Sequence, residues 1–97
     1  MLTSKQRSQL KAMATELQPI FQIGKGGIND NMCVQLDDTL EARELIKIKT
    51  LETSPVSARE AADQLSERLG ADIVIVIGTK IVLYRESKDN KKIILVK

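Results

Sequence analysis

The sequence predicts an α/β fold, a two-layer sandwich in the order α-β-α-β-α-β-β with a mixed four-stranded sheet. Three observations lead there. Helical and strand periodicities alternate along the chain, and strand-helix-strand units imply parallel neighbours joined by right-handed crossovers. Gly78-Thr79 stands between two β-branched runs as a two-residue turn, which adds an antiparallel hairpin. Residues 46–49 alternate isoleucine with lysine, so one sheet face is at least partly exposed and two layers suffice.

The first helix starts with Thr3 and Gln6 at capping-box spacing and runs to about Leu17. Leu10, Met13, Ala14 and Leu17 fall on one stripe, with Lys5, Arg7 and Lys11 off it. Lys5 and Arg7 lie in the first turns, where positive charge opposes the helix dipole. Solvated charge explains them; an external partner would explain them too. Gln18-Pro19 stops the helix, because proline donates no N–H and disfavours helix in the residue before it. Residues 20–23 then form a short strand.

Gly24-Lys25-Gly26-Gly27 follows and holds three of the chain's five glycines. Beyond it, Ile28 and Asn29 fit the N′ and N-cap positions of a second helix, with Ile28 stapled against Cys33. Cys33, Leu36 and Leu40 give its buried stripe, with Val34 beside it, and Asp37, Asp38 and Glu41 its acidic outer face. A lone cysteine on an apolar stripe reads as a small core residue.

Ile46 and Ile48 share one face of the next strand, Lys47 and Lys49 the other. The lysines either guard a strand edge or extend a basic surface begun by Lys25. Ser54-Pro55 opens a third helix with Ala58, Ala61, Ala62, Leu65 and Leu69 inward, closed by Gly70. Arg59 and Asp63 pair at i, i+4 on its solvated side. Residues 73–77 are wholly apolar and β-branched, so they are expected to be the most buried strand. Residues 80–85 return. The tail from Ser87 ends Ile93-Ile94-Leu95-Val96-Lys97 and admits three fates: an edge strand, a segment along the core, or a mobile end.

Composition narrows the function. Ninety-seven residues with 42% apolar content make one domain, residues 1–97. There is no histidine, which removes His bases, Ser-His and Cys-His nucleophile pairs and imidazole metal ligands. One cysteine makes no internal disulfide and no thiolate cluster. One Phe and one Tyr offer no platform for stacking bases. No catalytic residue, metal site or cofactor is expected. With no signal-like apolar run at the start and no membrane-length stretch, a cytoplasmic location is expected.

Charge is polarised. Residues 1–29 carry four basic and one acidic side chain, residues 80–97 six and two, and the middle five and ten. That is consistent with one basic face. On it the glycine loop is the most specific feature. Glycine tolerates positive φ and lets a ligand approach the main chain, and a lysine near a helix start suits a phosphate. The spacing is wrong for G-x-x-x-x-G-K-[ST] and the loop too short for G-x-G-x-x-G, so a nucleotide-binding enzyme lacks its signature.

Four segments then carry a family resemblance: Leu2-Thr3-Ser4-Lys5-Gln6-Arg7, Gln22-Ile23-Gly24-Lys25-Gly26-Gly27, Glu44-Leu45-Ile46-Lys47-Ile48-Lys49, and Gly78-Thr79-Lys80-Ile81-Val82-Leu83-Tyr84-Arg85. In this order they resemble the CRM domain (chloroplast RNA splicing and ribosome maturation) in its single-domain bacterial, YhbY-like form. The resemblance implies a fold similar to the C-terminal domain of translation initiation factor three. It implies RNA as ligand, held by a G-x-x-G loop compared with that of KH domains. It also implies association with precursors of the large ribosomal subunit. Carried over, the RNA-binding residues are Gly24, Lys25, Gly26 and Gly27, with Lys5, Arg7, Lys47 and Lys49 at matching basic positions. The tail carries no transferred role. The rival expectation is a protein-interaction module on pre-ribosomal particles, with RNA contact incidental.

Overall fold

A computed structural model describes residues 2–97. Its elements are α1 (Ser4–Ala14), β1 (Phe21–Ile23), α2 (Asp30–Arg43), β2 (Leu45–Thr50), α3 (Ala58–Leu69), β3 (Asp72–Ile77) and β4 (Lys80–Tyr84). The sheet order is β1-β2-β4-β3. β1 runs parallel to β2, with Phe21 opposite Ile48 and Ile23 opposite Thr50, while β4 is antiparallel to both β2 and β3. The sheet is therefore mixed, as expected.

Local chemistry sets the helix ends. The Thr3 hydroxyl accepts the Gln6 amide at 3.1 Å and Gln6 Oε1 accepts the Thr3 amide at 3.0 Å, a closed capping box. α1 stops at Ala14, three residues before the expected end, where Thr15 bonds back to the Ala12 carbonyl and the chain tightens into a turn. Asn29 caps α2 through the Met32 amide at 2.8 Å. α3 departs from expectation. Ser54 and Pro55 lie in the preceding loop, and Ser57 with Glu60 forms the capping box that opens the helix. Gly70 closes α3 in the left-handed conformation at φ 62°.

α2 and α3 pack on one sheet face, where Leu36, Leu40, Ala61, Ala62 and Leu65 meet Ile23, Ile46, Ile48, Ile81 and Leu83. Cys33 belongs to this core and Ile28 packs against it, whereas Val34 is 61% exposed. The second face is covered over part of its area by α1 and the tail. There Leu10 and Ala14 join Leu45, Val74, Val82 and Tyr84, and Ile93 and Leu95 pack against them.

β3 is not the most buried strand. It is an edge, only Val74 along it is buried, and Ile77 is 64% exposed. The hairpin returns β4 between β2 and β3, so the burial expected for β3 falls to β4, whose Ile81, Val82, Leu83 and Tyr84 are all buried. A β-bulge at Ile73/Ile75 explains why β3 is apolar on both sides. The extra residue puts Val74 and Ile75 on the α1 face, with Ile73 and Val76 on the other.

The tail runs along the core. Glu44, fully buried at the C-cap of α2, accepts the amides of Ser87, Lys92 and Ile93 at 2.8, 2.6 and 2.8 Å. Glu41 accepts the amides of Lys88 and Asp89, each at 3.0 Å, and the Ser87 hydroxyl at 2.6 Å. Farther on, Gln9 both donates to the Ile94 carbonyl and accepts from the Val96 amide, at 2.8 Å each. Residues 87–97 thus form a strap across the α1 face, with Ile93 and Leu95 inward and Ile94 outward.

Candidate nucleic-acid interface

The glycine loop leaves β1 at the end of the sheet where β2 also ends and β4 begins. The Gly27 amide donates to the Gly24 carbonyl at 2.9 Å, closing a tight turn with Lys25 and Gly26 exposed at its tip. Gly27 adopts φ 65°, and a Cβ there would stand 3.0 Å from Pro55 Cγ, so this position needs glycine twice over. Gly24 is different: a Cβ would meet Leu51 and Thr53 at ordinary contact distances. Nothing lies within 4 Å of a Cβ built on Gly26, which leaves the tip open to an approaching ligand.

The start of α2 stands behind this turn, but it is less open to an anion than the sequence suggests. Its Met32 amide is taken by Asn29, and the Asp30 carboxylate at the first turn is bridged by Arg68 from α3. A phosphate at the loop must therefore rest on the turn itself and on nearby lysines.

Those lysines come from β2 and β4. Lys49 lies opposite Gln22 of β1 on one side and Lys80 of β4 on the other, and Lys47 lies opposite Val82. β2 is an interior strand, so Lys47 and Lys49 guard no edge. They project onto the α1 face, opposite the side that buries Ile46 and Ile48. Lys11 and Lys80, which sequence reasoning did not single out, line the same cleft as Lys47. Only strand register shows Lys80 as a neighbour of Lys49, 31 positions earlier in the chain. Among the described residues, the ion pairs use Arg59, Arg68, Arg85 and Lys91, and none of these lysines.

Lys5 and Arg7 are not brought to the loop. The start of α1 sits at the other end of the sheet, where Leu2 and Gln6 share a cleft with Asp72 and Tyr84. Lys5 is exposed there. Arg7 turns inward along the sheet: its Nη1 donates to the carbonyls of Ile73 and Val74, at the bulge.

The carboxylates of the far end gather on one side of it. Asp37, Asp38, Glu41, Glu86 and Asp89 line one open cleft there with Arg85 and Lys88. Arg85 pairs with Asp37 at 2.5 Å and also donates to the carbonyls of Leu69 and Asp37. The Lys88 amide, then the Ser87 hydroxyl and the Asp89 amide, hold the Glu41 carboxyl down to about 2. Burial pushes Glu44 up, but its three amide donors outweigh that and keep it below the ordinary 4.5. Both carboxylates are thus fixed in their charged form. No helix among the described residues is long and apolar enough to cross a membrane, and no cluster of metal-ligating side chains occurs among them.

This geometry sits in a chain with known relatives. The family model of the CRS1 / YhbY (CRM) domain matches residues 2–85. The chain is 48% identical over 93 residues to the probable RNA-binding protein YqeI of Bacillus subtilis, covering 96% of this chain and 97% of that one. It is 32% identical over 93 residues to a probable RNA-binding protein of Methanocaldococcus jannaschii, covering 94% of this chain and 69% of the other. A Staphylococcus aureus protein solved in solution, described as a candidate RNA-binding protein, superimposes with a TM-score of 0.81 at 54% identity, over 99% of this chain and 100% of that one. A turn built on Gly24 and Gly27, the capped α1 and the Lys80 hairpin all fall inside the matched span, and the chain belongs to the CRS1/YhbY (CRM) domain family.

Proposed function

We propose that this chain is a non-catalytic RNA-binding protein that grips the RNA backbone at Gly24-Lys25-Gly26-Gly27 and acts in assembly of the large ribosomal subunit. One observation carries the binding mode. The turn closed by Gly27 N–H on Gly24 presents an unobstructed Gly26 and a solvent-facing Lys25, with Lys49 on the adjacent strand. Backbone is the natural ligand, because such a surface offers charge and close approach but little that reads a base edge. Lys47, Lys80 and Lys11 extend the attraction along the sheet. Lys5 adds charge only to an RNA long enough to reach the opposite end of the molecule, and Arg7 serves β3. The description of the relatives as probable RNA-binding proteins supports RNA as the ligand class. The ribosomal assignment rests on the family resemblance, and a cytoplasmic location is proposed from the sequence, which carries no signal-like run and no membrane-length apolar stretch.

The test is fluorescence anisotropy with a labelled fragment of large-subunit ribosomal RNA. Gly26→Asp puts a carboxylate at the open tip without a steric clash, so the fold should survive and affinity should fall at least about tenfold. Equal affinity of wild type and Gly26→Asp would sink the loop mechanism. Sedimentation of the two proteins with ribosomal particles separates the rival reading. If Gly26→Asp loses free RNA yet still rides with the particles, a protein partner holds it there.

A further inference from the structure

Between the last turn of α1 and the β3–β4 hairpin the sheet is uncovered. Ala14, Ile75, Ile77 and Val82 floor a cleft of about 290 Å³ there, and Lys11, Lys47 and Lys80 stand around it. We propose that this cleft receives a nucleobase of the same RNA strand whose backbone lies on the glycine loop. The inference rests on the loop reading above and adds a second contact of a different chemical kind.

Three features point to this occupant. The floor is aliphatic and partly open, with Ile77 64% exposed, so a flat apolar face would cover surface that the fold leaves wet. Every ionisable group lining the cleft is a lysine and none is a carboxylate, which suits a ligand flanked by phosphates. The cleft also lies near the loop. Lys49 neighbours β1 on one side and Lys80 on the other, so the two sites lie roughly two to three strand spacings apart, about 10–15 Å. A few nucleotides of single strand bridge such a gap.

The bulge makes the cleft. Strict alternation from Ile73 would turn Ile75 and Ile77 towards α3. The extra residue at Val74 reverses them onto the lysine side, and Arg7 holds the bulge by bonding the carbonyls of Ile73 and Val74. Arg7 is thus a positioning residue for this cleft. With no aromatic ring in the lining, the base is gripped by its faces and not read at its edge, so many sequences should be accepted.

The experiment compares two ten-nucleotide single-stranded probes, one of uridines and one of abasic ribose phosphates, against four proteins. Wild type should bind the uridine probe more tightly. Ile77→Ser, at an exposed position that leaves the fold intact, should weaken the uridine probe about tenfold and leave the abasic probe unchanged. Gly26→Asp should weaken both probes alike, which reports on the loop independently. Arg7→Lys should reproduce the Ile77→Ser pattern in milder form. If Ile77→Ser affects neither probe, or both equally, the cleft holds no base and the proposal fails while the loop reading stands. If Gly26→Asp spares both probes, the loop reading itself fails.

Discussion

The carboxylate of Glu44 accepts the amide of Ser87 at 2.8 Å, joining the end of α2 to the start of the strap 43 residues on. Glu44 does this from φ 67°, a left-handed backbone that a residue with a Cβ avoids. Such strain costs on the order of 1–3 kcal/mol and persists only where the surroundings hold it. Here three amide donors do so.

Substitutions at Glu44 should separate the two effects. Glu44→Ala loses the acceptor for three amides and keeps the strained backbone, and should cost about 2–4 kcal/mol. Glu44→Gly loses the same acceptor but relieves the backbone, recovering about 1 kcal/mol. Urea unfolding should therefore rank wild type above Gly and Gly above Ala. Equal midpoints for the two variants would show that the backbone is not strained.

Acid should release the strap. Glu41 and Glu44 both have folded values below the ordinary 4.5, so their stabilisation is complete above that pH and is lost as pH falls through the folded values, about 2 for Glu41. Amide protection factors at Ser87, Lys88, Lys92 and Ile93, taken relative to the intrinsic exchange rate at each pH, should stay high at neutral pH and fall between about pH 4.5 and 2. Loss of protection already near pH 6 would contradict the hydrogen bonds described.

The loop glycines should divide by thermal stability. Gly27→Ala meets both the positive φ and Pro55 at 3.0 Å, and should cost about 1–2 kcal/mol. Gly26→Ala should stay within about 0.5 kcal/mol of wild type. A Gly27→Ala protein as stable as wild type would mean that the turn has another conformation.

Salt dependence should count the phosphates. Each lysine that neutralises a phosphate on single-stranded RNA adds about 0.7 to the slope of log affinity against log salt. Lys25→Ala and Lys49→Ala should each flatten the slope by about that amount. On a short oligonucleotide Lys5→Ala should not, since Lys5 lies at the far end of the sheet.

What could be read from sequence was local. Thr3 with Gln6, Asn29, Gly70 and the Gly78-Thr79 turn announce themselves within a few residues, because a cap or a turn is a short-range steric and hydrogen-bonding problem. The strap was not legible in the same way. Its anchors, Glu41 and Glu44, bond residues 43–49 positions away, and no periodicity marks a carboxylate that will meet a distant amide. β3 misled because its local composition looked like an interior strand, while its place was decided by where the hairpin inserted β4. The glycine loop was visible as a candidate, and Lys47 and Lys49 with it. Lys80 came into view only with the register that sets it beside Lys49, and Lys11 only with the cleft that α1 shares with Lys47.

The two unlike ends of the molecule bear on how it meets a polyanion. Net charge is only +2, too little to draw the protein in by itself. The longest dimension is 39 Å, several times the screening length of about 8 Å at physiological salt, so an RNA nearby feels one end and not the sum. The exposed lysines at the loop end are pulled, whereas at the far end Asp37, Asp38 and Glu41 offset Lys5, Arg85 and Lys88, so the attraction is felt mainly at the loop. Most collisions should then arrive with the glycine turn leading, and fewer encounters are lost to the wrong orientation.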